Sequence, residues 1–128
     1  MAQTDDAAAD KDVLATLTRR LIEFRDARDW KRFHSAKNLM LSLALEAAEI
    51  QELAQWKSDD EFETALGDPD MRRRLGEECA DVLLYLLLLC EHAGIDLGEA
   101  AKSKIDLNHS RYPVSKVHGK ALKYNELE

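Results

Sequence analysis

The sequence predicts an all-α fold, a bundle of four to five helices, and three observations carry that expectation. Apolar residues recur at three- and four-residue steps along most of the chain. Turn formers are scarce, with 5 Gly and 2 Pro in 128 residues, fewer than a many-stranded sandwich needs. Helix start and stop signals divide the chain into segments of ordinary helix length. A composition 45% apolar and 34% charged is that of a folded chain, and the length suits one domain.

Residues 1–10 are small and acidic and are expected to be disordered. From Lys11 the positions Val13, Leu14, Leu17, Leu21, Ile22 and Phe24 keep a helical period that fades near Ala27. Trp30, Phe33 and His34 fall in a connection, where His34 reads as a loop or capping residue. Ser35 is the expected N-cap of a second helix, from Ala36 to Trp56. Ser58 with Glu61 has the capping-box spacing for a short helix that stops at Gly67. Asp68 followed by Pro69 starts a long helix that runs to His92, before Gly94. Asp96 with Glu99 opens the last helix, which ends before Pro113. The expected domain is therefore 11–113, followed by a tail, 114–128, of weak periodicity.

Charge and cysteines narrow the function classes. The net charge is −7, a surface that repels duplex nucleic acid, so no nucleic-acid polymer is expected as partner. A small phosphorylated ligand stays admissible if metal ions supply positive charge. The longest apolar run, Val82 to Cys90, is nine residues, about half of a membrane span. No secretion leader is seen. Cys79 and Cys90 share a helix face but stand roughly 16 Å apart along its axis, too far to bridge. They are expected to be reduced core residues of a cytoplasmic protein. A helix apolar on every side, as at 82–90, must be enclosed on every side, and a second subunit is the simplest cover. A homodimer or homotetramer is expected.

The chemistry concentrates in two short patterns. The second helix carries Glu46 and Glu49, and the long helix carries Glu78 and Asp81. Each pair is spaced i, i+3, so both carboxylates project from one helix face. Each pair sits among Leu, Ala, Val and Cys, and Glu52 extends the first row by one step. If the two helices pack side by side, four carboxylates converge. They cannot all remain charged and unpaired in a core. Either some protonate or a hard cation neutralises them, and oxygen-only donors favour Mg²⁺, with Mn²⁺ possible. The plainer reading is four ordinary acids on solvated faces. Di-iron chemistry is disfavoured, because the Glu-x-x-His step it uses is absent.

These residues, taken with their surroundings, resemble the MazG-like, all-α nucleoside triphosphate pyrophosphohydrolases, and within them the dCTP-directed branch. The family motif, Glu-x-x-Glu followed by Glu-x-x-Asp, reads here as Glu46, Glu49, Glu78 and Asp81. The resemblance spans about residues 13–113. It extends to Arg-Asp-Trp-Lys-Arg-Phe-His (28–34), Lys-Asn-Leu (37–39), the stretch 43–53, Gln-Trp (55–56), Asp-Val-Leu-Leu-Tyr-Leu (81–86) and 103–113, which closes on Asn-x-x-x-Tyr-Pro. It implies an all-α bundle assembled as a dimer of dimers. It implies Mg²⁺-dependent hydrolysis of a nucleoside triphosphate to the monophosphate and pyrophosphate, with dCTP or a 5-modified dCTP as substrate. The implied metal ligands are Glu46, Glu49, Glu78 and Asp81. The residues implied to hold base and sugar are Trp30, Trp56, Tyr85, Asn108 and Tyr112. Some animal members carry a His nine residues before the Trp that matches Trp30; Leu21 stands there in this chain.

The reaction needs charge neutralisation on the triphosphate, a positioned water and an in-line approach to the α-phosphorus. Glu49 is the expected proton acceptor for that water. Trp30, Trp56, Tyr85 and Tyr112 serve either as stacking surfaces or as packing. Asn108 offers a donor and an acceptor to a base edge. Lys37, Lys104 and Arg111 are candidate phosphate contacts, set against the ordinary case of solvated cations. Arg72, Arg73 and Arg74 read as a solvated face or as partners of acidic neighbours. The alternatives kept open are a pyrophosphohydrolase for another nucleotide such as dUTP and a catalytically idle helical module that binds metal or a partner.

Overall fold

A computed structural model describes residues 3–127. Among the described residues there are six α-helices and no strand: α1 (Gln3–Ala27), α2 (Ala36–Glu52), α3 (Asp59–Ala65), α4 (Pro69–Ala93), α5 (Leu97–Arg111) and α6 (Val114–Val117). The all-α expectation holds. The chain divides into two compact units, the first reaching to Ile95 and the second beginning at Asp96.

In the first unit α4 packs against both α2 and α1. Its buried apolar residues are Leu39 and Leu53, on and just beyond α2, with Met71, Leu87, Leu88 and Cys90 on α4. Arg25 on α1 is buried as well. It survives there because its guanidinium meets the carboxylates of Asp26 at 2.9 Å and Glu91 at 3.4 Å, the second tying α1 to α4. Sequence reading missed it, because a cation on an amphipathic helix is ordinarily solvated.

Most helix ends fall where their capping chemistry puts them. The Ser35 hydroxyl accepts from the Asn38 N–H at 3.1 Å. The Ser58 hydroxyl accepts from the Glu61 N–H at 3.2 Å and donates to the Glu61 carboxylate at 3.1 Å. The Asp68 carboxylate accepts from the Asp70 N–H at 3.0 Å, with Pro69 inside the first turn. At the far end of α4, Gly94 takes φ 69°. The Ile95 N–H reaches back to Cys90 O at 2.8 Å and the Gly94 N–H to Glu91 O at 3.2 Å. That is the Schellman closure, which favours glycine at this step.

Two boundaries differ from expectation. The first helix begins at Gln3 rather than Lys11. Of the segment 1–10 expected to be disordered, Met1 and Ala2 lie outside the described residues, and residues 3–10 have helical backbone. Ala7, Ala8 and Ala9 favour that backbone more than any other residue type. The second helix ends at Glu52, not Trp56. Beyond it the bonds tighten to three-residue steps, Ala54 N–H to Gln51 O at 3.0 Å and Lys57 N–H to Ala54 O at 3.0 Å. The chain must leave the helix before Ser58, whose N-cap role requires an extended backbone, φ −70° and ψ 167°.

The cysteines split. Cys90 is buried as expected, but Cys79 is exposed. Of the run 82–90, Leu87, Leu88 and Cys90 are buried and the rest are half-buried.

In the second unit the Asp96 carboxylate caps α5 by accepting from the Glu99 N–H at 3.1 Å. The helix closes with the Tyr112 N–H on Asn108 O at 2.8 Å, just before Pro113. The stretch read as a tail is folded through Leu127. After α6, Gly119 turns at φ 74°. Residues Tyr124–Glu126 then form a 3₁₀ turn, with the Lys123 N–H donating to the Glu126 carboxylate at 3.0 Å. Glu128 lies outside the described residues.

Candidate active site

Packing of α2 on α4 brings the two i, i+3 acidic pairs together. One carboxylate oxygen from each of Glu46, Glu49 and Glu78 lies within 4.8 Å of the other two. Asp81 is outside this tightest group, yet its charge acts on both Glu46 and Glu78. Glu52, the next step along the first row, is exposed and apart from the cluster.

The three acids are not equivalent. Glu46 and Glu78 are half-buried, and each has one oxygen, Oε2, shielded from solvent without a hydrogen-bond partner. Glu49 is exposed and neighbours both of them. Loss of water, then the adjoining Glu49 carboxyl, then the charges of Asp81 and Glu78 push the Glu46 carboxyl up to about 6. Glu78 is also held above its ordinary value, first by the adjoining Glu49 carboxyl and then by loss of water. Crowded, part-desolvated carboxylates are unfavourable alone and become favourable around a cation. Two orphaned carboxylate oxygens beside a third, exposed carboxylate make an all-oxygen donor set of the kind hard divalent ions take.

The aromatic candidates sit in different settings. Trp30 follows a sharp reversal in which Asp29 adopts φ 54°, and its N–H bonds back to Arg25 O at 3.1 Å. Its ring stands edge-on to Phe24, centroids 5.7 Å apart and planes at 74°, and the Arg28 guanidinium lies 3.6 Å over the Phe24 ring. Trp30 is 45% exposed, so one part is held and another is open. Trp56 is 87% exposed and lies four residues past α2 rather than at its end. Tyr85 is half-buried on α4, one turn beyond Asp81. Lys37 is exposed in the first turn of α2.

His34 ends the short 3₁₀ turn Lys31–Phe33, its N–H bonded to Lys31 O. It is a capping residue, as expected. Burial, then the charge of Arg25, holds its imidazole below the usual value, and its Nδ1 is shielded without a partner. The arginine run also behaves as expected. Arg73 pairs with Asp70 at 2.8 Å and Glu77 at 2.7 Å, and Arg72 donates to Leu66 O and Gly67 O at the end of α3.

In the second unit Lys104 and Asn108 are exposed on α5, while Arg111 and Tyr112 at its end are half-buried. The cover over those two is Tyr124, which sequence reading did not single out. Its ring meets Tyr112 edge-on at 6.4 Å and 89°, and the Arg111 guanidinium lies 4.5 Å from its centroid. No periodicity or short motif marks a contact across eleven intervening residues that hold only the single-turn helix α6.

Comparison with known proteins sets this geometry among relatives. The MazG-like family matches residues 41–127. The chain is 41% identical over 133 aligned positions to dCTP pyrophosphatase 1 of Mus musculus, spanning 99% of this chain and 78% of that protein. It is 42% identical over 131 positions to dCTP pyrophosphatase 1 of Rattus norvegicus, spanning 98% and 77%. Among solved structures, a pyrophosphatase from Archaeoglobus fulgidus superposes with a TM-score of 0.72 at 43% identity, covering 77% of this chain and 91% of that one.

Proposed function

The chain belongs to the MazG-like family, and on that premise we propose that it hydrolyses dCTP, or a dCTP modified at carbon 5, to the monophosphate and pyrophosphate. The observation that carries this reading is the convergence of Glu46, Glu49 and Glu78 within 4.8 Å, two of them with orphaned oxygens. The similarity to the rodent dCTP pyrophosphatases supports the substrate.

Glu46, Glu49, Glu78 and Asp81 would hold Mg²⁺, or Mn²⁺ in its place. When bound, the ion supplies the positive charge that the triphosphate needs and that a chain of net charge −7 lacks. The remaining work belongs to side chains. Glu49 is the exposed acid of the cluster, so a water can reach it. It takes that water's proton as the oxygen bonds to the α-phosphorus, and the bridging oxygen between the α- and β-phosphorus leaves with pyrophosphate. Trp30, Trp56, Tyr85 and Tyr112 offer stacking surfaces to the base and sugar. Asn108 reads the N3 and exocyclic amine edge of cytosine. Lys37, Lys104 and Arg111 contact phosphates. The same reading assigns a homodimer or homotetramer and a cytoplasmic location, supported by two free cysteines and a nucleotide-pool substrate. No helix among the described residues is long and apolar enough to cross a membrane.

The test is direct. Purified protein is incubated with dCTP, 5-methyl-dCTP, dUTP and the other nucleoside triphosphates, with MgCl₂ or with EDTA, and pyrophosphate is measured. Release from the cytosine nucleotides that needs Mg²⁺ is the expected result. A preference for dUTP relocates the substrate, and absence of release from every nucleotide leaves an idle binding module.

A further inference from the structure

Tyr124 touches two of the proposed nucleotide contacts at once, and we infer that it is a positioning residue for substrate binding. The Arg111 guanidinium lies over its ring face and the Tyr112 ring meets it edge-on. The inference rests on the reading above, that Arg111 and Tyr112 meet the nucleotide.

The geometry is specific. Arg111 is the last residue of α5 and Tyr112 is its C-cap, a place where long side chains ordinarily wander. Here the Arg111 guanidinium carbon lies 4.5 Å from the Tyr124 ring centroid, and Tyr112 meets the same ring edge-on at 6.4 Å and 89°. A guanidinium stacked on a ring face keeps its N–H donors in its own plane. Such a guanidinium retains its in-plane donors for the forked contact that phosphate oxygens accept. An arginine without that support must lose its rotamer freedom when it binds.

Tyr124 is in turn fixed from its own side. Gly119 reverses the chain at φ 74°, and the Glu126 carboxylate accepts from the Lys123 N–H at 3.0 Å, closing the 3₁₀ turn that carries the ring. Tyr124 itself is 50% exposed. The tail folds back to present one ring face rather than to bury a core residue. A residue kept for packing alone has no need of a half-exposed ring with a cation on it.

The test is steady-state hydrolysis of dCTP by the full chain with Mg²⁺. Tyr124→Ala is expected to raise KM about three- to tenfold, the scale of a lost cation–π contact, with kcat within about twofold. Tyr124→Phe keeps the ring and restores wild-type KM. Tyr124→Leu keeps apolar bulk without the ring and behaves like the alanine variant; a leucine variant with wild-type KM overturns the inference. In the double variant Arg111→Gln with Tyr124→Ala the losses are expected to be less than additive, and full additivity overturns it. Arg111→Gln and Tyr112→Ala separate the two levels. If both raise KM and Tyr124→Ala does not, the positioning role falls and the reading of Arg111 and Tyr112 stands. If neither raises KM, that reading falls and the inference falls with it. Melting temperatures accompany every variant, and a fall in kcat that tracks a fall in melting temperature, with KM unchanged, marks plain packing and also overturns the role.

Discussion

Glu46 titrates between the ordinary carboxylate range and neutrality, and that has two measurable consequences. Its value is raised from 4.5 to about 6, so the folded chain holds this proton more tightly than the unfolded chain does. The stability this gives is fully present below 4.5 and is lost as pH rises through about 6. Glu78 shifts the same way. Asp26 and Asp70 are lowered by their arginines and oppose this only in stronger acid. Metal-free protein should therefore melt at a lower temperature near about pH 7 than near about pH 5, and Mg²⁺ should raise the melting point more at the higher pH. A melting point unmoved by Mg²⁺ at both pH values would count against the carboxylate site. Activity should also fall as Glu46 takes up its proton. Glu49 offers the sharper substitution. Glu49→Gln keeps the shape and removes the charge that burdens both neighbours. Turnover should drop at least about a hundredfold, as when a transition-state electrostatic element is lost. The metal-free protein should at the same time melt higher, because a like-charge contact is gone. Loss of activity with a lower melting point would instead mean that the glutamine disturbed the helix pair. The cluster of Glu46, Glu49 and Glu78 was legible because an i, i+3 acidic pair inside an apolar stretch is chemically out of place, whereas Asp81, expected with them, lies outside the tightest group. Arg25 and Tyr124 were not, because their partners Glu91 and Tyr112 are near in space and distant in sequence.

Helix α4 sets the frame for those acids, and its ends are local devices. Asp68 and Pro69 start it, Gly94 stops it, and the sequence displays all three. Gly94 has open space where a Cβ would stand, so the cost of Gly94→Ala is the left-handed backbone alone, about 1–2 kcal/mol. Chemical denaturation should show that loss in the midpoint with an unchanged slope. Gly76, mid-helix and also in open space, serves as the contrast. Gly76→Ala should stabilise by about 0.5–1 kcal/mol, since the helix interior favours alanine. Element boundaries set by caps were readable in this way. The end of α2 was not, because Leu53 and Ala54 continue the helical period while the turn to Ser58 has already begun. Periodicity reports which face is apolar and is blind to hydrogen bonds that shorten from four-residue to three-residue steps. The same limit hid the early start of α1, where residues 3–10 carry helix-forming alanines but no apolar stripe. It also hid the fold of the chain after Pro113, which turns on the positive φ of Gly119 and on the contacts of the Tyr124 ring with Tyr112 and Arg111.

At the scale of the whole molecule the first unit leaves apolar surface that a second copy can cover. The run 82–90 was expected to require it. Within one chain that run is half-covered, with Leu87, Leu88 and Cys90 buried. The larger exposure lies on α2, where Leu41 and Leu45 are each 60% exposed and Met40 is 56% exposed. Leu41, Leu45 and Ala48 follow at four- and three-residue steps, one stripe beside the face that carries Glu49. Burying a leucine is worth about 1.5–3 kcal/mol, so a stripe repeated across a two-fold axis gives association real driving force. Light scattering at micromolar concentration should report a dimer or tetramer, with a melting temperature that rises with protein concentration. Placing charge on the stripe, with Leu41→Asp and Leu45→Asp together, should shift the mass to the monomer while helix content by circular dichroism is retained. Because the stripe adjoins Glu49, the same pair of substitutions should lower turnover more than a charge placed at Val13 on α1, which is 55% exposed. A wild-type chain that stays monomeric and fully active at every concentration would overturn this assembly and leave the half-covered run 82–90 as an ordinary core edge.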